Sequence, residues 1–335
     1  MYQAEYPGVN AFLRDSCRLL LKEGIRRETR GKVCYELPEP YMFKITDPTS
    51  RIVTIPERNW YAPLAYAESL WLAFGRNDLD FISLYGSNMK TFSDNGETIR
   101  GGYGPRFRHF NGDSTDYDIR CVTSESHAEV DQFRYVVECF KKDINSRQAI
   151  INIGDPVKDC FGKDRSLKVT KDIPCTRMLH FMKDASSNKL NLVVSMRSND
   201  LIWGASAVNI FNFTFMQEYF AAILGLEIGC YYHIVNNMHY YEEFKPLVEK
   251  NAAVEEVKDH HFQYSKTFRT LQEFDQLVKI VSVEENRMRK EGENYKYYIF
   301  DDDFFQDWYN VLYNKVTKRH IEFMNPYLNR IYHTQ

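Results

Sequence analysis

Two neighbouring runs near the middle of the chain constrain the fold most. The segments "CTRMLHFMKD" (175–184) and "KLNLVVSMRS" (189–198) are joined by the turn residues "DASSN", and the second run alternates apolar and polar side chains. This pattern predicts one antiparallel β-hairpin. With the turn centred on Ser186, Cys175 lies opposite Arg197, a pairing that a slip of one residue would break.

Helical periodicity surrounds this hairpin. Amphipathic patterns predict helices over 11–26, 59–75, 127–143 and 211–229. The segments "AIINIGD" and "YYHIVNNMHYY" are predicted strands, and "RETRGKVCYELP" is predicted as a loop that enters a strand. From 245 onward the sequence is charged and helical. We therefore expect an α+β fold, in which helices pack on one mixed sheet and a helical extension follows.

Charge and composition exclude several classes of protein. The 335 residues carry a formal net charge of −3, so no basic field favours nucleic-acid binding. No apolar run is long enough for a membrane span, and the first residues lack a signal pattern. We expect a cytoplasmic protein that binds neither nucleic acid nor membrane. The seven cysteines are widely spaced without a CxxC pair, which argues against a disulfide framework and a zinc or other metal site.

Cys175 has two interpretations. Most single cysteines are inert core residues. A thiolate beside a cation is reactive, however, and Arg197 across the predicted hairpin is such a cation.

Polar residues near the hairpin also have two interpretations. Arg197 and Ser198 suit a phosphate group, and Asp200 could accept a hydrogen bond from a base or an amide, but a capped strand end has the same residue types. His239 and Tyr241, with Asn237, alternate on one face of a predicted strand. Such a face lines a pocket or contacts solvent.

Seven short motifs, in this order, resemble those of the thymidylate synthase family, which includes the pyrimidine nucleotide hydroxymethylases. They are "RxT" (Arg27, Thr29), "ExLWxxxGRND" (68–78), "YGPRFR" (103–108), "SRQ" (146–148), "PC" (174–175), "RSND" with a following glycine (197–200, Gly204) and "HxxxNxHxY" (233–241). The resemblance implies that residues 1–245 form a thymidylate synthase-like catalytic domain and that 246–335 form a helical C-terminal extension.

The resemblance also implies a reaction. The Cys175 thiolate adds to C6 of a pyrimidine nucleoside monophosphate, so that C5 can attack the one-carbon unit of the co-substrate 5,10-methylenetetrahydrofolate. Glu68 then organises water and proton transfer near the base, and Tyr103 lies near the reacting C5. The implied phosphate ligands are Arg197 and Ser198, and the implied sugar ligands are His239 and Tyr241.

Further implied roles concern the folate and a second subunit. Asp200, Gly204 and Phe92 are expected at the folate. The family is homodimeric, and Arg147 matches an arginine that reaches the phosphate in the partner's site; its usual arginine neighbour is Gln148 here. Arg27 is the best match to a mobile phosphate-binding arginine, and Arg30 is its rival.

Three departures from the synthases favour water over hydride as the final acceptor. Thr176 replaces the histidine that usually follows the cysteine, Phe92 is the nearest aromatic residue where a tryptophan is expected, and the chain ends "RIYHTQ" after the helical stretch. We therefore predict a hydroxymethylase, with a divergent thymidylate synthase as the alternative. A family member that only binds nucleotide or a partner is a second alternative, although Cys175 and Glu68 remain.

The base is harder to predict. Val208 stands where the synthases place an asparagine on the uracil edge and the deoxycytidylate hydroxymethylase-like enzymes an aspartate. An insertion of one residue would bring Asn209 there. An amide can flip to match uracil or cytosine. The segments "CTR" and "MRSND" favour cytidylate, with deoxyuridylate as the alternative.

Overall fold

The computed structural model describes residues 1–29, 31–110, 117 and 129–333. In these residues ten strands form two sheets. The strands are β1 (Tyr2–Tyr6), β2 (Ile25–Thr29), β3 (Lys32–Glu36), β4 (Tyr41–Ile45), β5 (Ile150–Asn152), β6 (Thr176–Lys183), β7 (Lys189–Met196), β8 (Asn199–Asp200), β9 (Glu227–Val235) and β10 (Met238–Tyr241).

The larger sheet has the strand order β1-β4-β9-β7-β6-β5 and is mixed, with parallel pairs β1–β4 and β7–β9. The predicted hairpin is its β6–β7 pair. Thr176 faces Met196 in the predicted register, whereas Met178 faces Ser195, because a bulge at Arg177 shifts the remaining pairs by one residue. The predicted α+β fold with a mixed sheet is confirmed.

The smaller sheet has the order β2-β3-β10-β8. The strand predicted in "RETRGKVCYELP" is β3, whereas the loop predicted before it was wrong in part, because the segment begins with the end of β2, which pairs with β3 as a hairpin. Gly31 at its turn has a positive φ of 72°, which glycine adopts without steric cost. Strands β8 and β10 pair in parallel, so that His239 lies beside Asp200.

The helices surround these sheets. They are α1 (Val9–Glu23), α2 (Ala62–Ala73), α3 (Leu79–Tyr85), α4 (Tyr103–Arg108), α5 (Gln132–Lys142), α6 (Pro156–Asp159), α7 (Ile210–Leu224), α8 (Lys245–Ala253), α9 (Leu271–Glu291), α10 (Asp303–Thr317) and α11 (Pro326–His333). The prediction that the long helix stops at Gly229 was wrong. Helix α7 ends at Leu224, and Gly225, whose φ is 66°, caps it. Gly229 lies in β9.

A π-helix over Leu201–Asn209 leads into α7. Asp200 caps it through Oδ1, which accepts hydrogen bonds from the N–H groups of Ile202 (2.7 Å) and Trp203 (2.5 Å). A π-helical hydrogen bond spans one residue more than an α-helical one. Such a segment can accommodate the one-residue insertion predicted before Asn209.

The helices after residue 245 pack against the rest of the chain. The indole N–H of Trp308 in α10 donates to the backbone oxygen of Tyr66 in α2 (2.8 Å). Phe304 stacks on Phe215 of α7 with ring centroids 4.2 Å apart. The domain boundary at 245 stays a prediction.

No helix among the described residues is long and apolar enough to cross a membrane. The six cysteines in this part of the chain carry free thiols.

A buried cluster of charged residues links α7 to the chain after residue 245. Glu218 is fully buried and pairs with Arg51 (2.6 Å) and Lys266 (2.5 Å). Replacing Glu218 with alanine leaves both cations buried without their partner, so we expect a loss of about 3–5 kcal/mol in the free energy of unfolding, measured by urea denaturation.

The matched control is Glu5→Ala, which removes the exposed partner of Lys44 at 3.0 Å. We expect this control to cost at most about 1 kcal/mol. Equal losses in the two variants would contradict the structural role of Glu218.

Candidate active site

Cys175 stands at the entrance of β6, half-buried and next to the bulge. Its carbonyl oxygen accepts a hydrogen bond from the backbone N–H of Arg197 (2.9 Å). The guanidinium of Arg197 donates to the carbonyl oxygens of Ile173 (2.9 Å) and Pro174 (3.2 Å). The cation is therefore anchored beside the cysteine while its side chain remains exposed.

Tyr103 contacts the residue that follows the cysteine. Its hydroxyl oxygen accepts hydrogen bonds from the N–H of Thr176 (3.2 Å) and from its Oγ1 (3.1 Å). Burial and the neighbouring Cys175 raise the pKa of Tyr103, so the phenol keeps its proton. Because its oxygen already accepts two hydrogen bonds, the O–H proton is available for a group bound near Cys175.

Glu68 lies on α2 and faces the same region. Burial, with a smaller contribution from Asp172, raises the pKa of Glu68 to about 8. Burial also raises the pKa of Asp172 to about 6, against the opposing effect of Arg106 and Arg197. At neutral pH Glu68 is mainly a neutral hydrogen-bond donor, whereas Asp172 is mainly a carboxylate.

A polar chain runs from Ser198 to the smaller sheet. The Ser198 hydroxyl donates to Asn237 Oδ1 (3.2 Å), and Asn237 Nδ2 donates to Glu36 (2.7 Å). His239 Nε2 lies 4.0 Å from Asp200 Oδ2, and the rings of His239 and Tyr241 are 5.3 Å apart. The structure thus brings the predicted phosphate and sugar ligands together.

Asp200 retains one unused acceptor. Its Oδ2 atom is buried without a hydrogen-bond partner among the described residues. Burial raises the pKa of Asp200, and His239 opposes that shift. Ile202 and Trp203, whose N–H groups bond to Asp200, also line an apolar cavity of about 450 Å³ with Trp60 and Leu64. A buried acceptor beside an apolar cavity fits a flat ring system with N–H donors, as in the pterin of a folate.

Asn209 ends the π-helix and takes part in a buried hydrogen-bond relay. Asn209 Nδ2 donates to Asn199 Oδ1 (2.9 Å), and Asn199 Nδ2 lies 3.3 Å from His233 Nε2. Burial lowers the pKa of His233 to about 3, so this ring is neutral and accepts at Nε2. A Cβ on Gly204 would lie 2.2 Å from Asn199 Oδ1, so the relay requires glycine there.

Other predicted site residues lie at the edge of this region. Arg27 is exposed on β2 and pairs with Glu36 (2.5 Å). Arg147 is exposed just before β5, and its carbonyl oxygen is 3.1 Å from His180 Nε2. Phe92 is 44% exposed at the end of a 3₁₀ helix over Ser87–Phe92. Arg30 lies outside the described residues.

Sequence reasoning missed two charged residues of the site. Asp172 precedes the cysteine by three positions, and that spacing was its only signal. Arg58 donates to the carbonyl oxygen of Ile202 (2.7 Å), and no motif marks it. Among the described residues, no group of His, Cys, Asp and Glu could hold a metal ion.

The raised pKa of Glu68 predicts a pH-dependent effect of Glu68→Gln on stability. Between the ordinary value of 4.5 and about 8, the folded protein holds a proton that the unfolded chain has released. Stability therefore falls as pH rises through this window. Glutamine stays neutral, so the increase in Tm over wild type should be larger at pH 8.5 than at pH 5.

Thermal unfolding at both pH values measures this difference. Glu97→Gln, at an exposed position, is the control and should show no such trend. An equal change in Tm at the two pH values would contradict the assigned environment of Glu68.

Comparison with known proteins supports the resemblance. The sequence model described as thymidylate synthase matches residues 12–289. A deoxyuridylate hydroxymethyltransferase of Bacillus phage SP01 is 36% identical over 68% of this chain and 55% of the relative. Another deoxyuridylate hydroxymethyltransferase, of Pseudomonas phage M6, is 31% identical over 66% of this chain and 56% of the relative. A thymidylate synthase of Symbiobacterium thermophilum is 28% identical over 52% of this chain and 57% of the relative.

This chain spans about half the length of the curated relatives that it matches. The match to the family extends over most of the chain and covers all the site residues discussed above. It confirms the family prediction made from the seven motifs. The chain belongs to the thymidylate synthase family.

Proposed function

We propose that this chain transfers a one-carbon unit from methylenetetrahydrofolate to C5 of a pyrimidine nucleotide, with water completing a hydroxymethyl group. Deoxyuridylate is the proposed substrate. The observation that carries the proposal is the cluster at the mouth of β6, where Cys175 adjoins Arg197 and Tyr103, and where Glu68 interacts with Asp172, three positions before the cysteine. The family's enzymes use this folate as co-substrate.

Cys175 is the proposed nucleophile. Its thiolate adds to C6, and the electron pair of the C5–C6 double bond moves toward the carbonyl at C4, which makes C5 nucleophilic. The anchored guanidinium of Arg197 favours the thiolate. Glu68, neutral at pH 7, can donate a hydrogen bond to the base as negative charge develops on it. When bound, methylenetetrahydrofolate supplies the one-carbon unit.

Arg197 and Ser198 are the proposed phosphate ligands. Two guanidinium nitrogens of Arg197 bond to backbone carbonyls, which fixes the side chain and leaves N–H groups that can face a phosphate. Arg27 would have to leave Glu36 to join them. The exposed Arg147 is proposed to complete the site of a second copy, so the active form is a homodimer.

The folate is proposed to lie between Asp200 and the apolar cavity. Asp200 Oδ2 would accept from a pterin N–H, which removes its buried unpaired state. Gly204 keeps the π-helix backbone close to Asn199 beneath this region. Phe92 is 44% exposed, and the exposed part of its ring is proposed to contact the folate.

The names of the phage relatives favour deoxyuridylate over cytidylate, because they are deoxyuridylate hydroxymethyltransferases. The amide of Asn209 fits uracil and, after a flip, also cytosine. The cytidylate prediction from "CTR" and "MRSND" remains the alternative.

Mass spectrometry of the product tests this proposal. The protein is incubated with methylenetetrahydrofolate and, separately, dUMP, dCMP and CMP in ¹⁸O-water. We expect dUMP to gain one carbon and one labelled oxygen, and Cys175→Ser to reduce turnover by at least about 10⁴-fold because the nucleophile is lost. Methylated dUMP with dihydrofolate would identify a thymidylate synthase instead. The absence of product and of a covalent adduct with 5-fluoro-dUMP would identify a non-catalytic binder.

Replacing Asn209 with aspartate tests its proposed contact with the base. The carboxylate loses the N–H donor that O4 of uracil needs and gains an acceptor for the amino group of cytosine. We expect the ratio of kcat/KM for dUMP to that for dCMP to fall by about 10–100-fold. An equal loss for both substrates would place Asn209 away from the base.

A further inference from the structure

Asp172 is a carboxylate of the site to which the reaction scheme above assigns no role. It lies three positions before Cys175, in a segment fastened to a neighbouring loop. Thr170 Oγ1 donates to Asp94 Oδ2 (2.5 Å), the N–H of Lys171 donates to Asp94 Oδ1 (3.0 Å), and Lys171 Nζ donates to the carbonyl oxygen of Ser93 (2.7 Å). The backbone that carries Asp172 is therefore held in place.

The carboxylate of Asp172 occupies a space that a side chain at position 101 would fill. A Cβ on Gly101 would lie 2.3 Å from Oδ2 and 2.9 Å from Oδ1 of Asp172. At Gly102 a Cβ would lie 2.7 Å from the indole of Trp71, three residues after Glu68 on α2. The two glycines before Tyr103 thus let the backbone lie directly between Asp172 and the helix of Glu68.

The carboxylate oxygens of Asp172 accept no hydrogen bond from the described residues, although the side chain is half-buried. A half-buried carboxylate without protein donors is suited to accept hydrogen bonds from water. The neighbouring carboxylate Asp94, by contrast, already accepts from Thr170 and Lys171.

The two carboxyl groups of the site differ in protonation. Burial raises the pKa of Asp172 to about 6 and that of Glu68 to about 8. Paired carboxyl groups whose environments separate their pKa values can serve as base and acid. The titratable and charged groups that act on Asp172 and Glu68 from the surrounding elements are Tyr103, Arg106, Arg197, Asp94 and Arg100.

We propose that Asp172 positions the water that completes the hydroxymethyl group and accepts its proton. This inference rests on the proposed function and names the residue that directs its last step. The water oxygen bonds to the exocyclic methylene carbon on C5, and one water proton passes to the Asp172 carboxylate. The electron pair of the exocyclic double bond moves into the ring, the C5–C6 double bond re-forms, and Cys175 leaves as the thiolate.

The variant Asp172→Asn distinguishes the addition of water from the earlier steps of the reaction. The amide keeps the size of the side chain but cannot accept the proton. Release of tritium from C5 of labelled dUMP reports addition of Cys175, one-carbon transfer and loss of the C5 proton. In a single turnover with enzyme in excess over labelled dUMP, we expect the rate of tritium release to stay within about threefold of wild type and the rate of hydroxymethyl-dUMP formation to fall about 100-fold, because a general base is lost.

Two further measurements distinguish a direct role of Asp172 in the addition of water from a purely structural role. In Asp172→Asn, added 2-mercaptoethanol should capture the exocyclic methylene as a thioether, since a thiol needs no base from the protein. Wild-type hydroxymethyl formation should decline as pH falls through about 6, and this decline should be absent in the variant. The control Glu97→Gln changes an exposed carboxylate and should leave the ratio of product to tritium release unchanged.

The outcomes distinguish the proposed role of Asp172 from the proposed hydroxymethylase activity. Equal loss of tritium release and product in Asp172→Asn, or product formation at the wild-type rate, would overturn the role of Asp172 while leaving the hydroxymethylase proposal intact. Wild-type protein that releases tritium but yields only methylated dUMP would overturn both. A lowered ratio of product to tritium release together with the thioether would support both.

Discussion

The site depends on how the β6–β7 hairpin ends. The hydrogen bond from the N–H of Arg197 to the carbonyl oxygen of Cys175 holds the two residues next to each other after the last regular strand pair. The bulge at Arg177 shifts the register of the rest of the hairpin but leaves this end in the predicted pairing. Cys175, the proposed nucleophile, Arg197 and the residues that follow each of them therefore share one sheet edge.

From this edge, the segment around Cys175 and the segment after Arg197 lead to different parts of the site. On one side, Asp172 and Thr176 flank the cysteine and meet Gly101 and Tyr103. On the other side, the chain after Arg197 enters β8 and the π-helix. Asp200 lies beside His239 there, and Ile202 and Trp203, whose N–H groups donate to it, line the apolar cavity. The two proposed substrates would meet between these segments.

Burial gives the carboxyl groups of the site different properties. Glu68, Asp172 and Asp200 all have raised pKa values, and in each case burial is the largest cause. Their differences come from the neighbours: Asp172 faces arginines, Asp200 faces His239 and caps a helix, and Glu68 faces another carboxylate. Identical functional groups thus acquire different pKa environments from their positions in the fold.

The sequence by itself determined the family, the α+β class, the hairpin and the adjacency of Cys175 and Arg197, because these follow from local motifs and strand periodicity. An insertion of one residue before Asn209 stays a prediction from the displaced asparagine. Only the tertiary structure revealed the π-helix over Leu201–Asn209 and the strand β2, whose partner β3 also pairs with the distant strand β10. Asp172 became visible as part of the site only when folding placed it against Gly101, because burial and neighbouring charge are not properties of local sequence.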